Sequence, residues 1–195
     1  MLPRDFPAWQ TVYHYFRLWR VDGTWERMHT ALREQARVKS GRQATPSAGF
    51  HSTASRYGPM QKGVRGYDGA KRLSGRKRHA LVDTTGLVLA VVVHSAAIHD
   101  REGAKLLLNR CKGVFPRLEL IWADQGYSGK LLTWVKNDLE VVQVVYPWWR
   151  QLQRYLPEVL ERMGVGPDGF HVLPRRWVVE RTFAWLMFQR RLARD

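Results

Sequence analysis

Hydrophobic positions at intervals of three and four open the chain. Trp9, Val12, Tyr13, Phe16 and Trp19 or Arg20 recur at helical spacing, and a second such pattern follows Asp22-Gly23, so residues 1–42 are expected to form a helical pair. SGRQATPSAG, residues 40–49, is punctuated by Gly41, Pro46 and Gly49 and reads as a linker. The next stretch, FHSTASRYGP, fits neither the helical nor the strand period. Beyond it RHALVDT and LVLAVVVHSA are apolar, β-branched runs joined at Thr84, Thr85 and Gly86, which predicts a β-hairpin. The second run is apolar at nearly every position and is expected to be a central strand buried on both faces.

The pattern then alternates between strand and helix. Asp100 is the expected cap of a helix over REGAKLLLNRCKGV, with Leu106 to Leu108 facing a sheet. RLELIWADQGYSG reads as a buried strand ending at a turn that carries Asp124, KLLTWVKNDL as a helix, and EVVQVVYP as a further strand. WRQLQRYLPEVLERMG reads as a helix broken by PDG. In the last helix Pro174 suits the first turn, and Trp177, Phe183, Ala184 and Met187 give the apolar stripe. The order predicts an α/β fold, a mixed sheet flanked by helices after an N-terminal helical segment.

Composition narrows the partners. Apolar residues make up 45% of the chain, enough for a folded core, while 32 Lys and Arg against 17 Asp and Glu give a formal charge of +15. The excess is spread over several segments, which favours a polyanion, most simply nucleic acid, over a neutral small molecule. Arg17, Arg20, Arg27, Arg33, Arg37, Lys39 and Arg42 decorate the first helical pair, where they lie either against phosphates or in solvent. Cys111 is the only cysteine, so an internal disulfide and a thiolate metal cage are excluded. No apolar run reaches membrane-spanning length, and a reducing cytoplasm is the expected compartment.

Two acids stand where such a sheet places chemistry. Asp124 ends a buried strand, and Glu180 is the one acid of the last helix before the terminal Asp195. A carboxylate on a half-buried helix is costly unless it is paired, with Arg176 at i−4 for example, or bound to a cation. Hard Mg²⁺ or Mn²⁺ takes oxygen ligands, and a two-metal site for phosphodiester cleavage needs a cluster of carboxylates. Asp68 and Asp83 lie in turn contexts and read as turn formers. His79, His94 and His99 lack the spacing of a zinc site and read as structural or phosphate-contacting.

RGYDGAKRLSGRKRHALVDTTGLVLAVVVHSA, IWADQGYSGKLL and LPRRWVVERTFAWL resemble, in order and over nearly the whole chain, the Asp-Asp-Glu transposases of bacterial insertion sequences, specifically the IS-five group. The resemblance implies a ribonuclease-H-like catalytic domain over residues 43–195, truncated at its C-terminus, after a partial helical DNA-binding region over residues 1–42. It implies a two-metal site for Mg²⁺ or Mn²⁺ that cuts and joins double-stranded DNA, at the element's terminal inverted repeats and at the target, in an enzyme that commonly works as a homo-oligomer. It makes Asp124 the second catalytic Asp, Glu180 the catalytic Glu and Arg176 the Arg four residues before it. Arg72, Arg76, Lys77, Arg78 and Arg176 would hold the DNA backbone. Leu173 and Met187 stand where the family has a Tyr and a Lys, with Arg190 or Arg191 as the substitute cation.

The first catalytic Asp is missing. In the family it belongs to a segment resembling Asp-Ser-Gln-Ser-Val-Lys/Arg-Thr between ATPSA and RGYDG, and both flanks are present at 44–49 and 65–69. STASRYGP can be encoded TCG ACA GCC AGT CGG TAC GGA CCN. Read from the final G of the first codon, this gives GAC AGC CAG TCG GTA CGG ACC, which is Asp-Ser-Gln-Ser-Val-Arg-Thr. Residues from about 50 to 62 are therefore expected to be translated out of frame between two compensating shifts. Ser52 supplies no anionic oxygen, so the expectation is an impaired transposase or, alternatively, a non-catalytic DNA-binding remnant.

Overall fold

The computed structural model describes residues 3–57, 65–124, 127, 130–139, 142–145 and 177–189. The chain divides into two compact units, residues 1–44 and 45–195.

In the first unit, α1 (Trp9–Val21) and α2 (Thr24–Lys39) meet at the expected break. Gly23 takes a left-handed φ of 75°, and Asp22 Oδ1 accepts the Thr24 amide at 2.9 Å, so the turn both ends one helix and starts the next. Trp25 packs edge-on to Trp19, with ring centroids 5.3 Å apart, and donates its indole N–H to the Phe16 carbonyl at 3.2 Å. Arg33 and Arg37 are buried, and Arg37 Nε donates to the Gln43 carbonyl at 2.9 Å. Of the expected basic face, these two are therefore spent on local structure.

The second unit is built on one mixed sheet. Its strands are β1 (Ala48–Tyr57), β2 (Gly66–Asp68), β3 (Leu73–Asp83), β4 (Val88–Ser95), β5 (Leu120–Ala123) and β6 (Val142–Val145), with helices α3 (Asp100–Cys111), α4 (Lys130–Leu139) and α5 (Trp177–Phe188). β1 lies between β3, antiparallel, and β5, parallel; β6 continues parallel from β5, and β2 and β4 pair with the far side of β3. The strand order is thus β4-β3-β1-β5-β6, the mixed sheet expected from the sequence.

FHSTASRYGP is thus a strand through Tyr57, and it is central. Pairing on both sides overrides a sequence that has no strand period of its own. Gly49 belongs to this strand and not to the linker, because any β-carbon there would lie 2.8 Å from the Val82 carbonyl oxygen. β4, by contrast, pairs only with β3 among the described residues and leaves Val93 51% exposed. The expectation of a central strand there is corrected: a continuous apolar run does not reveal which edge finds a partner.

Both faces of the sheet are covered. On one, Leu81, Ile121 and Ala123 pack against Leu107 and Leu108 of α3 and Leu131 of α4; on the other, Phe50, Val82 and Trp122 pack against Val178 and Val179 of α5. Leu106 is exposed, and the cap of α3 is His99, whose ring accepts the Arg101 amide, with Asp100 already helical. In α5 the buried stripe is Val178, Val179 and Thr182 with Phe183 partly buried, while Trp177 and Met187 point outward and Ala184 is exposed. The expected stripe is rotated toward Val178 and Val179, because the hydrophobic residues run nearly all round this helix and the docking surface selects among them. WRQLQRYLPEVLERMG, Pro174 and Arg176 lie outside the described residues.

Candidate active site

The site is set by alternation along neighbouring strands. β1 and β5 run parallel with Phe50 opposite Trp122, and the two rings stack with centroids 4.6 Å apart. The ladder ends at this pair; Ser52 lies two residues further along β1, on the face that carries Phe50, and Asp124 follows Trp122 by two residues in the chain. Asp124 is the first residue past β5 and is exposed, with its carbonyl accepting the Tyr127 amide at 3.2 Å. On the β3 side, Ser52 pairs with Ala80.

Helix α5 packs on this same face and carries Glu180 in its first turn, exposed at the rim, where the helix dipole favours an anion. Its seat is the β3–β4 turn. Thr182 Oγ1 donates to the Gly86 carbonyl at 2.9 Å, and Arg181 Nη2 donates to the Thr85 carbonyl at 2.7 Å. The Arg181 guanidinium also lies over both Trp177 and Trp185, 4.4 and 4.6 Å from the ring centroids. The turn itself is organised by Asp83, whose Oδ1 accepts from the Thr85 and Leu87 amides and from the Thr85 hydroxyl. Asp83 is fully buried in that role, as its turn context predicts. These anchors on Arg181 and Thr182 were not read from the sequence; their adjacency to Glu180 is the signal that points to them.

The basic candidates separate by strand parity. Arg76 and Arg78 share the face of Ala80 and Ser52 and are half-buried, and Arg72 sits exposed in the preceding turn with a left-handed φ of 51°. Lys77 faces the other way. It is 4% exposed, its ammonium 2.8 Å from Asp100 and 3.2 Å from Asp68, and it donates to the Ile98 carbonyl at 3.0 Å. Burial pulls its pKa down, but the two carboxylates outweigh this and hold it above the ordinary lysine value. The expected role of Lys77 on the DNA backbone is therefore corrected: its charge is committed to a buried pair. Asp68 forms its turn, accepting the Ala70 and Lys71 amides, and anchors Lys77 as well.

The same inward face holds a histidine stack that sequence spacing did not reveal. His51 Nε2 and His79 Nδ1 are 3.1 Å apart, and the His79 and His94 rings stack with centroids 4.8 Å apart. Helix α3 crosses them at Gly103, where any β-carbon would overlap both His79 and His94. Burial, then the neighbouring His79, lowers the His51 pKa to about 3; burial, then His94, lowers that of His79 to about 4. Three strands bring these rings together, so no short-range spacing signals them.

Among the described residues no group of three or more His, Cys, Asp and Glu is placed to hold a metal ion. β1, Ala48–Tyr57, carries no carboxylate, so this strand supplies the Ser52 hydroxyl and no anionic oxygen for a hard divalent cation.

Residues 44–195 match the family described as Transposase DDE domain. The chain belongs to this family. The DDE domain covers the whole sheet and α5, and begins at the boundary between the two units. A curated relative, a putative transposase for the insertion sequence element IS402 from Burkholderia cepacia, is 26% identical over 167 residues, covering 82% of this chain and 71% of the relative. Among solved structures, the HTLV-2 integrase catalytic core domain in complex with magnesium, in a dimeric form, aligns over 75% of this chain and 88% of that chain, at 12% identity and a TM-score of 0.36. The chain is thus a DDE domain of the insertion-sequence transposase type. No helix among the described residues is long and apolar enough to cross a membrane.

Proposed function

We propose that this chain is an insertion-sequence transposase domain that binds DNA through the Ser52–Asp124 face and whose strand cleavage is impaired at β1. The observation that supports the reading is β1 itself: it is the central strand, paired with β5 up to Phe50 opposite Trp122, and it carries a hydroxyl at Ser52, two residues on, while Asp124 follows Trp122 by two. In an intact relative, Asp124, Glu180 and the missing first Asp would hold two Mg²⁺ or Mn²⁺ ions, which activate water at the element's end and stabilise charge on the transferring phosphoryl group. Here a single strand position withholds one carboxylate, and Asp124 and Glu180 have less reason to hold cations than to repel each other.

Arg72, Arg76 and Arg78 serve the DNA backbone, and Arg176 is assigned beside Glu180 by family resemblance. The N-terminal helical unit, with Arg17, Arg20 and Lys39 exposed, adds a second DNA contact. Transposition chemistry joins two ends, which makes a homo-oligomer the working form.

The test uses a supercoiled plasmid carrying the ends of the chain's own element, with Mg²⁺ or Mn²⁺. The parent chain is expected to bind without nicking, and Ser52→Asp to raise nicking roughly 100-fold or more, the scale set by losing one electrostatic group from an active site. Efficient nicking by the parent would sink the impaired reading. Binding by both with nicking by neither would favour the DNA-binding remnant.

A further inference from the structure

Strand β1 is at odds with its surroundings on both faces. On one, Ser52 offers a hydroxyl two residues past Phe50; on the other, His51 is 3% exposed and its Nδ1 has no hydrogen-bond partner among the described residues. The register partner of His51 is Leu81, and its ring meets Tyr127 with centroids 4.6 Å apart, so the position is shaped for an apolar side chain. Phe50, one residue earlier, shows no conflict: it is 2% exposed, stacked on Trp122 and packed against α5.

The genetic code extends the shifted reading upstream without further assumption. With Ser52 encoded TCG, the codon before the shifted GAC is the third base of His51, T or C, followed by TC. It reads TTC or CTC, which is Phe or Leu. The codon before that is the third base of Phe50 followed by CA, and reads Ser or Pro. Neither suits position 50, which is buried and paired with Val82 on one side and Trp122 on the other, where proline has no N–H for the ladder.

We infer that the reading frame changes between the codons of Phe50 and His51, and that the ancestral β1 carried Phe or Leu at position 51 beside the acid at position 52. This rests on the out-of-frame reading above and adds a core defect to the lost carboxylate: one event altered both faces of the strand. Replacing His51 forfeits its bond to His79 and leaves His79 Nδ1 unpaired, which is costly, but it removes the buried, unpartnered His51 Nδ1 and buries a Leu or Phe side chain in its place.

The test is the gene sequence across codons 50–53 together with thermal unfolding of His51→Leu, His51→Phe and Phe50→Ser near neutral pH. Codon 52 is expected to be TCG, at least one apolar variant to melt higher than the parent by roughly 2–4 °C, and Phe50→Ser to melt lower. Any other serine codon at 52, or both His51 variants melting below the parent, overturns the inference. The nicking assay reads a different property: Ser52→Asp failing to nick while His51→Leu melts higher would remove the functional reading and leave this one standing.

Discussion

The two faces of the central sheet carry the same residue types to opposite ends. Toward α5, Arg78 shares the face of Ser52 and is half-buried; toward α3, Lys77 is locked between Asp68 and Asp100, and His51, His79 and His94 are stacked and buried. Lys77 and Arg78 are adjacent in sequence, as are His51 and Ser52. A period of two separates their fates, so residue type says little about chemistry until the face is known.

The comparison breaks most sharply at Asp124. In the chain repaired by Ser52→Asp, adding Asp124→Ala is expected to abolish nicking, a loss of roughly 100-fold or more, whereas in the parent the same change leaves the nicking signal unaltered. A parent whose residual nicking depends on Asp124 would show that the outward face is still catalytic.

Lys77 and Arg78 sharpen it next. Lys77→Ala leaves the buried Asp68 carboxylate, and the partly exposed Asp100, without their cation and is expected to destabilise the fold by about 3 kcal/mol in denaturant titration. Arg78→Ala is expected to cost less stability than Lys77→Ala and to flatten the salt dependence of DNA binding by about one ion. The opposite pattern would invert the assignment of the faces.

Acid provides a third handle. Above about pH 6.5 the histidines are neutral in both states, and stability is flat. As pH falls below that, the unfolded chain takes protons that folded His51 (about 3) and His79 (about 4) refuse, so stability is lost progressively down to about those values. The groups facing the pair are Tyr127, His94, Asp100, Lys77 and Lys71; of these, Asp100 favours the charged His79, and burial outweighs it. Unfolding midpoints that stay level between pH 7 and about pH 4 would place these rings in water.

The smallest effect belongs to the seat of α5. Thr182→Val removes the bond to the Gly86 carbonyl and is expected to cost about 1 kcal/mol of stability, and to lower nicking in the Ser52→Asp chain while leaving DNA affinity unchanged. Equal loss of affinity would mean that α5 contributes to binding and not only to carrying Glu180.

Local elements were legible wherever the chain's own chemistry fixes them. Asp83 with Gly86 forms the hairpin turn, Asp22-Gly23 separates α1 from α2, and a short apolar run stops at Asp124 because a polar residue ends the buried strand. What failed depended on neighbours. LVLAVVVHS reads as central and lies at an edge among the described residues; the stripe of α5 rotates toward its docking surface; Lys77 turns inward. None of these can be decided within a window of ten residues, because each is settled by which other element covers the position.

The sequence by itself determined the family, through long motifs in order, and it raised the out-of-frame reading of FHSTASRYGP, because codon arithmetic acts on the linear chain alone. Only the tertiary structure decided that this stretch is the central strand, that Ser52 shares the face of Phe50 and Ala80, and that His51 is buried against Leu81, His79 and Tyr127. The reason is physical: strand pairing joins residues about 70 positions apart, and the environment of each side chain is set by those partners and not by its own neighbours.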